Sequence, residues 1–430
     1  MTSADTALLD RLMPAGPPDP PSLRATNWLL THGLPDANNE AWRYSPVNEI
    51  ISRLAAATPA QPRSITRADI DQLAGNHGPN RLVLVNGVYV PELSNMDAHA
   101  AGVWIGRLSD LPPGTVSTPV PVGGGFTDGF HALNRAAGGD PAVVVIEADA
   151  RHDADRGAPT PIHIVHVAVP GATPEISHPR TVIDVGDHAR LRLIETFTGL
   201  PGASLTNACT TIRLGRAAAL KHQRVQSEAP GATHIGYTHV SQAAESRYDA
   251  SSLMLGADIA RHAIDVTLHE PDANVALTGL YQPAGHQRHD TTVCVDHAAS
   301  RGTSTQNFRG VIDDHARGSF SGRIIVRPDT VANDAQQTNR NLVLQPTAQA
   351  DTRPWLEIFA DDVRCTHGAT VGRLDDDALF YLRSRGIPRD ESRTMLIDAF
   401  VHEITDAIEP ASLRGHIAAI IDVATRGRQP

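Results

Sequence analysis

Between about Pro141 and Val371 the chain carries no convincing helical pattern, and this run limits the fold more than any other feature. Short segments rich in β-branched residues succeed one another: AVVVIEA, IHIVHVAV, TVIDV, RLRLIETF, ACTTIRL, THIGYTHV, HAIDVTLHE, NVALTGLY, TTVCVDH, GRIIVRP, NLVLQP and WLEIFA. Gly, Asp, Asn, His or Pro separates them, as strand ends require. With no helices between the strands, a doubly wound α/β sheet is excluded. A sandwich or barrel would accommodate the pattern, but so many short strands fit a stacked β-solenoid better. No clean repeat is visible, so the coils of such a solenoid would be irregular.

The flanks read differently. Residues 1–130 are mostly helical in pattern, with a small β element. The prolines Pro14, Pro17, Pro18, Pro20 and Pro21 mark a linker, because proline cannot continue a helix. Leu23–His32 then reads as a helix that Gly33 and Pro35 stop. In RLVLVNGVYVP, apolar residues alternate around Asn86-Gly87, which signals a hairpin. Residues 131–372 make the β body, and residues 373–430 return to helix. There Asp375–Asp377 supplies capping carboxylates, and Gly386 with Pro388 gives a stop. A second helix begins near Asp390, with Leu396, Phe400, Ile404 and Ile408 as its apolar stripe. A third, Ser412–Arg426, carries Leu413, Ile417, Ile420 and Ala424.

Composition removes several functions. The formal net charge of −11 disfavours nonspecific binding to nucleic acid or an anionic membrane. No apolar run approaches the ~20 residues needed to span a bilayer. Three cysteines, Cys209, Cys294 and Cys365, are too few for a disulfide framework. With no secretory signal at the N-terminus, a cytoplasmic protein is expected. The single lysine, Lys221, lies in AAALKHQ with no glycine-rich loop before it, so no P-loop is present. The run Gly123–Gly125 lacks the third glycine of a dinucleotide fingerprint. G-x-S-x-G, H-E-x-x-H and C-x-x-C are all absent.

Two groups of soft ligands remain. GHQRHDTTVCVDH places His286, His289, Cys294 and His297 close in sequence, all of them types that bind zinc or iron. Their spacings of three and five do not share a strand face, however, so hydrogen-bonded packing is the plainer reading. ADDVRCTHGATVG contains Cys365 and His367, which a strand projects to one side, ~7 Å apart. Two ligands do not complete a site, so others would come from a partner chain or a substrate. The plainer reading is a buried thiol beside a hydrogen-bonded imidazole.

The stretch WLEIFADDVRCTHGATVGRLDDDALFYLRSRGI resembles the C-terminal signature of the SufB/SufD family of iron–sulfur cluster assembly proteins. HDTTVCVDHAAS, FRGVIDDHARGSFSGRIIVRPDT and AQQTNRNLVL are similar to the same family in the same order. So are GLPDANNEAWRYSPVNEI, with its W-R/K-Y-T/S-P motif, and FTDGFHALNRA. The resemblance spans almost the whole chain, and the Cys-x-His pair places it on the SufD side.

This resemblance implies a right-handed parallel β-helix flanked by N-terminal and C-terminal helices. It implies a non-catalytic scaffold that pairs with a SufB-like subunit through the β-helix core. The C-terminal helices would dock a SufC-like ABC ATPase, which supplies the P-loop missing here. Carried over by position, His367 and Cys365 would assist a transient cluster at the partner interface, with His367 sharing the metal with the partner. No cofactor is expected to be held tightly by the chain alone. Tyr381, Arg383 and Phe400 are the candidate contacts to the ATPase, although Phe400 could equally pack within the chain. The competing expectation is a free-standing metal-dependent β-helix enzyme using His286, Cys294 and His297; a third is a homodimer formed by the isolated chain.

Overall fold

The structure, a computed structural model, describes residues 8–9, 11–13, 19–95, 102–113, 125–150 and 161–426, with residues 424–426 described as backbone only. Pro14, Pro17, Pro18, Gly123 and Gly124 fall outside the described residues, and the side chain of Ala424 does too. The other two prolines of the expected linker start a helix instead. In Pro20–His32, Asp19 is the N-cap and accepts from the Ser22 N–H at 2.7 Å. Pro20 and Pro21 occupy the first turn, where no N–H is needed.

The body is a β-solenoid of about seven turns. Each coil lays one strand in each of two sheets, so neighbours in space are next-but-one in sequence. One sheet includes Ser204–Leu214, Thr233–Gln242, Ile259–Leu268, Arg288–His297, Arg317–Val326 and Gln349–Ile358. The other includes Arg190–Gly199, Ala219–Gln226, Arg247–Met254, Asn274–Tyr281, Thr303–Ile312, Asn333–Val343 and Val363–Gly372. All these neighbours pair in parallel, and stacked residues are typically 29 apart: Arg261 lies beside Asp290, and Asp290 beside Ser319. The expected hairpin forms at Asn86-Gly87, with φ of 50° and 81°. It ends the second sheet, because Asn80–Val85 pairs with Ile162–Ala168.

One corner recurs at every coil. His188, Ala217, Glu245, Asp272, Arg301 and Ala332 each take a left-handed φ between 52° and 65°. A non-glycine residue there costs about 1–2 kcal/mol. The cost is offset because each of these N–H groups donates to a carbonyl of the next coil, at 2.7–3.3 Å. Small buried residues follow several of the corners: Ala189, Ala218, Ser246 and Ala273.

Inside the coils, Leu191, Leu193, Leu220, Ile212, Val240, Val266, Val275 and Val293 contribute to one apolar core. Beside it runs a polar seam. Glu195 accepts from Thr210 at 2.8 Å and faces His166 and His222 at 3.3 and 3.4 Å. Glu228 accepts from Thr206 at 2.6 Å and pairs with His234 at 2.8 Å. Farther along, Gln337 donates to Gln306 at 2.7 Å, and Asn339 donates to the Tyr281 hydroxyl at 3.1 Å.

The helical flanks cover opposite outer faces. On the first sheet, Asp128 caps helix Gly129–Ala137, accepts from Trp42 Nε1 at 2.9 Å and from the Tyr237 hydroxyl at 2.6 Å. Arg261 lies 4.4 Å over the Trp42 ring and pairs with Asp290. On the second sheet, helices Arg389–Thr405 and Ala411–Arg426 bury Ile397, Val401, Ile404, Leu413, Ile417 and Ile421 against Ile194, Val225, Leu253, Leu280 and Val311. The buried stripe is therefore 397, 401, 404, 408 rather than 396, 400, 404, 408. A step of four overshoots a turn by about 40°, so three such steps carry Leu396 well away from Ile408. Gly386, at φ 86°, ends helix Asp376–Ser384 as expected. Among the described residues no helix is long and apolar enough to cross a membrane.

Three histidines join the last helix to the N-terminal segment. The His77 ring lies 5.1 Å from His163 and 5.8 Å from His416, and its Nδ1 lies 3.2 Å from the Ser412 hydroxyl. Burial, then repulsion from His416, pushes His77 down to about 4. Burial likewise holds His163 well below the usual histidine value and lowers His416. In the unfolded chain each takes a proton near pH ~6.5. The contribution of His77 is thus complete above that pH and is lost as pH falls toward about 4, and those of His163 and His416 are lost in the same direction. For each of the buried His77 and His163 the loss reaches up to about 1.4 kcal/mol per pH unit. Helix Ala411–Arg426 should show weaker amide protection at about pH 5 than at about pH 7.5, after correction for intrinsic exchange. Equal protection at both would remove this cluster as the pH-sensitive tie.

Candidate functional site

Both sheets finish at the same end of the solenoid, in Gln349–Ile358 and Val363–Gly372. Each strand has a paired neighbour on one side and, among the described residues, no strand on the other. Register shows which side chains face the lumen. Buried Ala335, Gln337, Asn339 and Asn341 lie beneath Cys365, His367, Ala369 and Val371. Phe320, Gly322 and Ile324 lie beneath Thr352, Pro354 and Leu356. The last coil is thus an open mouth, lined on one side by the Cys-x-His pair.

Cys365 is half-buried against Ile324, Val326 and Ala335, whereas His367 is exposed. Burial and then the charge of Asp334 raise the Cys365 thiol, which favours its protonated form. No third His, Cys, Asp or Glu completes a metal-ready group with this pair among the described residues. The mouth therefore offers two donors and lacks the rest of a coordination sphere.

Pro354 distinguishes the two edges. Proline brings no N–H to a ladder, and sheets tolerate it at edges. The edge of Val363–Gly372 contains no proline and keeps every backbone donor. Exposed apolar side chains surround the mouth: Ile358, Phe359 and Val371. Long unpaired strands with apolar neighbours are a template for another chain.

The second soft-ligand group is dispersed. His286 is exposed at a corner, where it stacks on His315 at 5.3 Å. His289 and His297 are buried on the lumen face of Arg288–His297, and His297 Nε2 meets the Ser304 hydroxyl at 2.9 Å. Cys294 sits on the opposite face of that strand, its thiol pushed up to about 12 by burial. One metal cannot reach Cys294 and His297 together.

The C-terminal candidates also divide. Helix Asp376–Ser384 has no buried residue, and both Phe380 and Tyr381 are exposed, at 72% and 57%. Arg383 is exposed, and the Arg385 guanidinium lies 5.3 Å over the Tyr381 ring. Phe400, in contrast, is half-buried beneath Arg309, whose guanidinium lies 5.0 Å over its ring. Arg309 also donates to the Phe400 carbonyl and pairs with Glu403. Phe400 thus packs within the chain.

Several buried carboxylates escape the sequence reading, Glu195 and Glu228 among them. Burial alone raises Glu195, but hydrogen bonds from His166 and His222 outweigh it and hold the carboxyl well below its ordinary value. In RLRLIETF, Glu195 alternates with Leu191 and Leu193, so an inward acid is the sequence signal that marks it. His131, Cys209 and His239 also line one cavity, although nothing in the sequence joins them.

A family model described as SUF system FeS cluster assembly, SufBD core domain, matches residues 167–400. The chain belongs to the SufBD family. A SufBD family iron–sulfur cluster assembly protein of Synechocystis is 32% identical over 93% of this chain and 90% of its own. The iron–sulfur cluster assembly protein SufD of Escherichia coli is 30% identical over 91% of this chain and 90% of its own. The chloroplast protein ABCI7 of Arabidopsis thaliana is 27% identical over 90% of this chain and 82% of its own. The SufBD match takes in the open mouth and helix Asp376–Ser384, and it leaves out Trp42 and His131.

Thiol chemistry checks this geometry. Cys294 and Cys209 are pushed up to about 12 and about 11, each first by burial, and Cys209 is the one cysteine that is buried. Timed alkylation read by mass spectrometry should label Cys365 first and Cys209 last, with rates rising toward alkaline pH. Fast labelling of Cys294 at neutral pH would contradict the burial described here.

Proposed function

We propose that this SufBD-family chain is a non-catalytic scaffold subunit of an iron–sulfur cluster assembly complex. It pairs with a SufB-like subunit through the open mouth of its solenoid, and it docks a SufC-like ABC ATPase through its C-terminal helices. The observation that carries this reading is the free edge of Val363–Gly372 with Cys365 and His367 at its mouth. A partner strand added there would bring its own donors within reach of these two, and the incomplete pair would become part of a shared site. The iron–sulfur cluster is the cargo of that site. Within it, His367 offers an imidazole and Cys365 a thiol that must lose its proton before it can ligate.

Support for the second contact comes from helix Asp376–Ser384. Its exposed Phe380, Tyr381 and Arg383 are not needed for packing within the chain, so they are available to a partner. Phe400 is withdrawn from that surface by its contact with Arg309. The relative abundance of exposed edge also favours self-pairing of the chain when no partner is present.

Co-purification with SufB-like and SufC-like subunits separates the parts of this reading. Val371→Lys places a charge in the mouth and should weaken pairing with the SufB-like subunit about tenfold or more, a cost of about 1.4 kcal/mol. Unchanged affinity would move the interface elsewhere. His367→Ala should leave pairing intact while lowering cluster yield on anaerobic reconstitution; loss of the complex would make His367 a packing residue. Arg383→Glu should weaken ATPase docking and spare the first interface, and no effect on docking would take this helix out of the contact.

A further inference from the structure

A second group of soft donors lies on the flank of the solenoid, outside the mouth. His131 comes from helix Gly129–Ala137, Cys209 from strand Ser204–Leu214 and His239 from the adjacent strand Thr233–Gln242. In the parallel register Cys209 pairs with Tyr237, and Thr211 pairs with His239, so Cys209 and His239 are diagonal neighbours on the outer face. The helix lies over them and completes the group. One ligand atom from each residue lies within 4.8 Å of the others. The three line a cavity of about 410 Å³, shared with Arg180, Asp265 and His269.

We propose that His131, Cys209 and His239 form a binding site for a thiophilic divalent first-row transition-metal ion, with a fourth position open to this cavity. Two imidazoles and one thiolate are the donor set that zinc and its neighbours favour, and three protein ligands leave one place exchangeable. His239 is already arranged as such ligands are. Its Nδ1 lies 3.4 Å from Asp265 Oδ2, and its Nε2 is buried with no hydrogen-bond partner. A carboxylate close to one ring nitrogen favours the tautomer that leaves the other free for a metal.

Closing the site requires a defined movement. Zinc–nitrogen and zinc–sulfur bonds of about 2.0 and 2.3 Å put these ligand atoms roughly 3.3–3.6 Å apart, so the separations must shorten by up to about 1.3 Å. The rings of His131 and His239 are stacked, 4.4 Å between centroids and 20° from parallel, and one ion cannot lie in both planes. A turn of His131 about χ2, a broad torsion, brings its plane onto the ion. The same turn gives up the weak 3.3 Å bond that the Thr127 N–H donates to His131 Nδ1. Cys209 releases its thiol proton to solvent as the metal–sulfur bond forms, so binding strengthens with pH. Arg180, beside Cys209, favours the thiolate and opposes excess positive charge, which selects an ion that the thiolate partly neutralises. Affinity should follow Zn²⁺ above Co²⁺ above Fe²⁺.

None of these residues lies at the mouth, so this proposal stands or falls apart from the scaffold reading. The test is an anaerobic Co²⁺ titration of the full-length chain carrying Cys365→Ala and His367→Ala, which removes the mouth donors. One equivalent should bind with a thiolate-to-cobalt charge-transfer band, and Zn²⁺ should displace it. Cys209→Ser should abolish the band, and His239→Ala or His131→Ala should raise the Kd at least about tenfold. Should Cys209→Ser fail to fold by circular dichroism, the two histidine variants carry the same test. A band that survives Cys209→Ser, or one lost only with Cys294→Ser, or the absence of any thiolate band would overturn the proposal.

Discussion

Every coil of this chain depends on the next one to complete its backbone hydrogen bonds. A strand in a parallel stack cannot satisfy its own N–H and C=O groups, and the corner amides cannot either. The left-handed corners at Ala217, Glu245 and Arg301 are tolerated because a carbonyl one coil farther on receives the N–H. Stability of the body is therefore a sum of interfaces between neighbours, as in other stacked architectures. The last coil, with neighbours on one side only, is where that sum is left incomplete.

This dependence explains which parts of the fold were legible. The strands announced themselves through β-branched residues, the hairpin through Asn86-Gly87 and the helix stops through Gly33 and Gly386. The repeat stayed hidden because corners that might have been marked by glycine are occupied by His188, Ala217, Glu245, Asp272, Arg301 and Ala332. Stacking fixes those conformations, so residue type is free to vary. The start of helix Pro20–His32 was misread for a related reason: proline forbids helix continuation but suits the first turn. The stripe at Leu396 and Phe400 failed because a four-residue spacing winds around a helix.

The site was legible only where its donors are near in sequence. Cys365 and His367 share a strand face, which alternation alone foretold. The same rule argued against His286, Cys294 and His297, and the strand does split them. His131, Cys209 and His239 come from three elements, so no spacing could connect them before the helix was laid on the sheet. Glu195 and Glu228 lie inside the lumen, where each acid is met by histidine and hydroxyl partners; unpaired, a buried carboxylate would be expensive.

The two ends of the solenoid are unequal, and this sets how many bodies can join. At one end the sheets finish in the short strands Val88–Tyr89 and Val103–Arg107, each antiparallel to its neighbour and poorly suited to extension. At the other, the strands are ten residues long and parallel to the stack. A rod with two such ends would polymerise head to tail into filaments. Among the described residues only one end has that form, so under the proposed pairing its valence is one, and assembly through that end would stop at a pair.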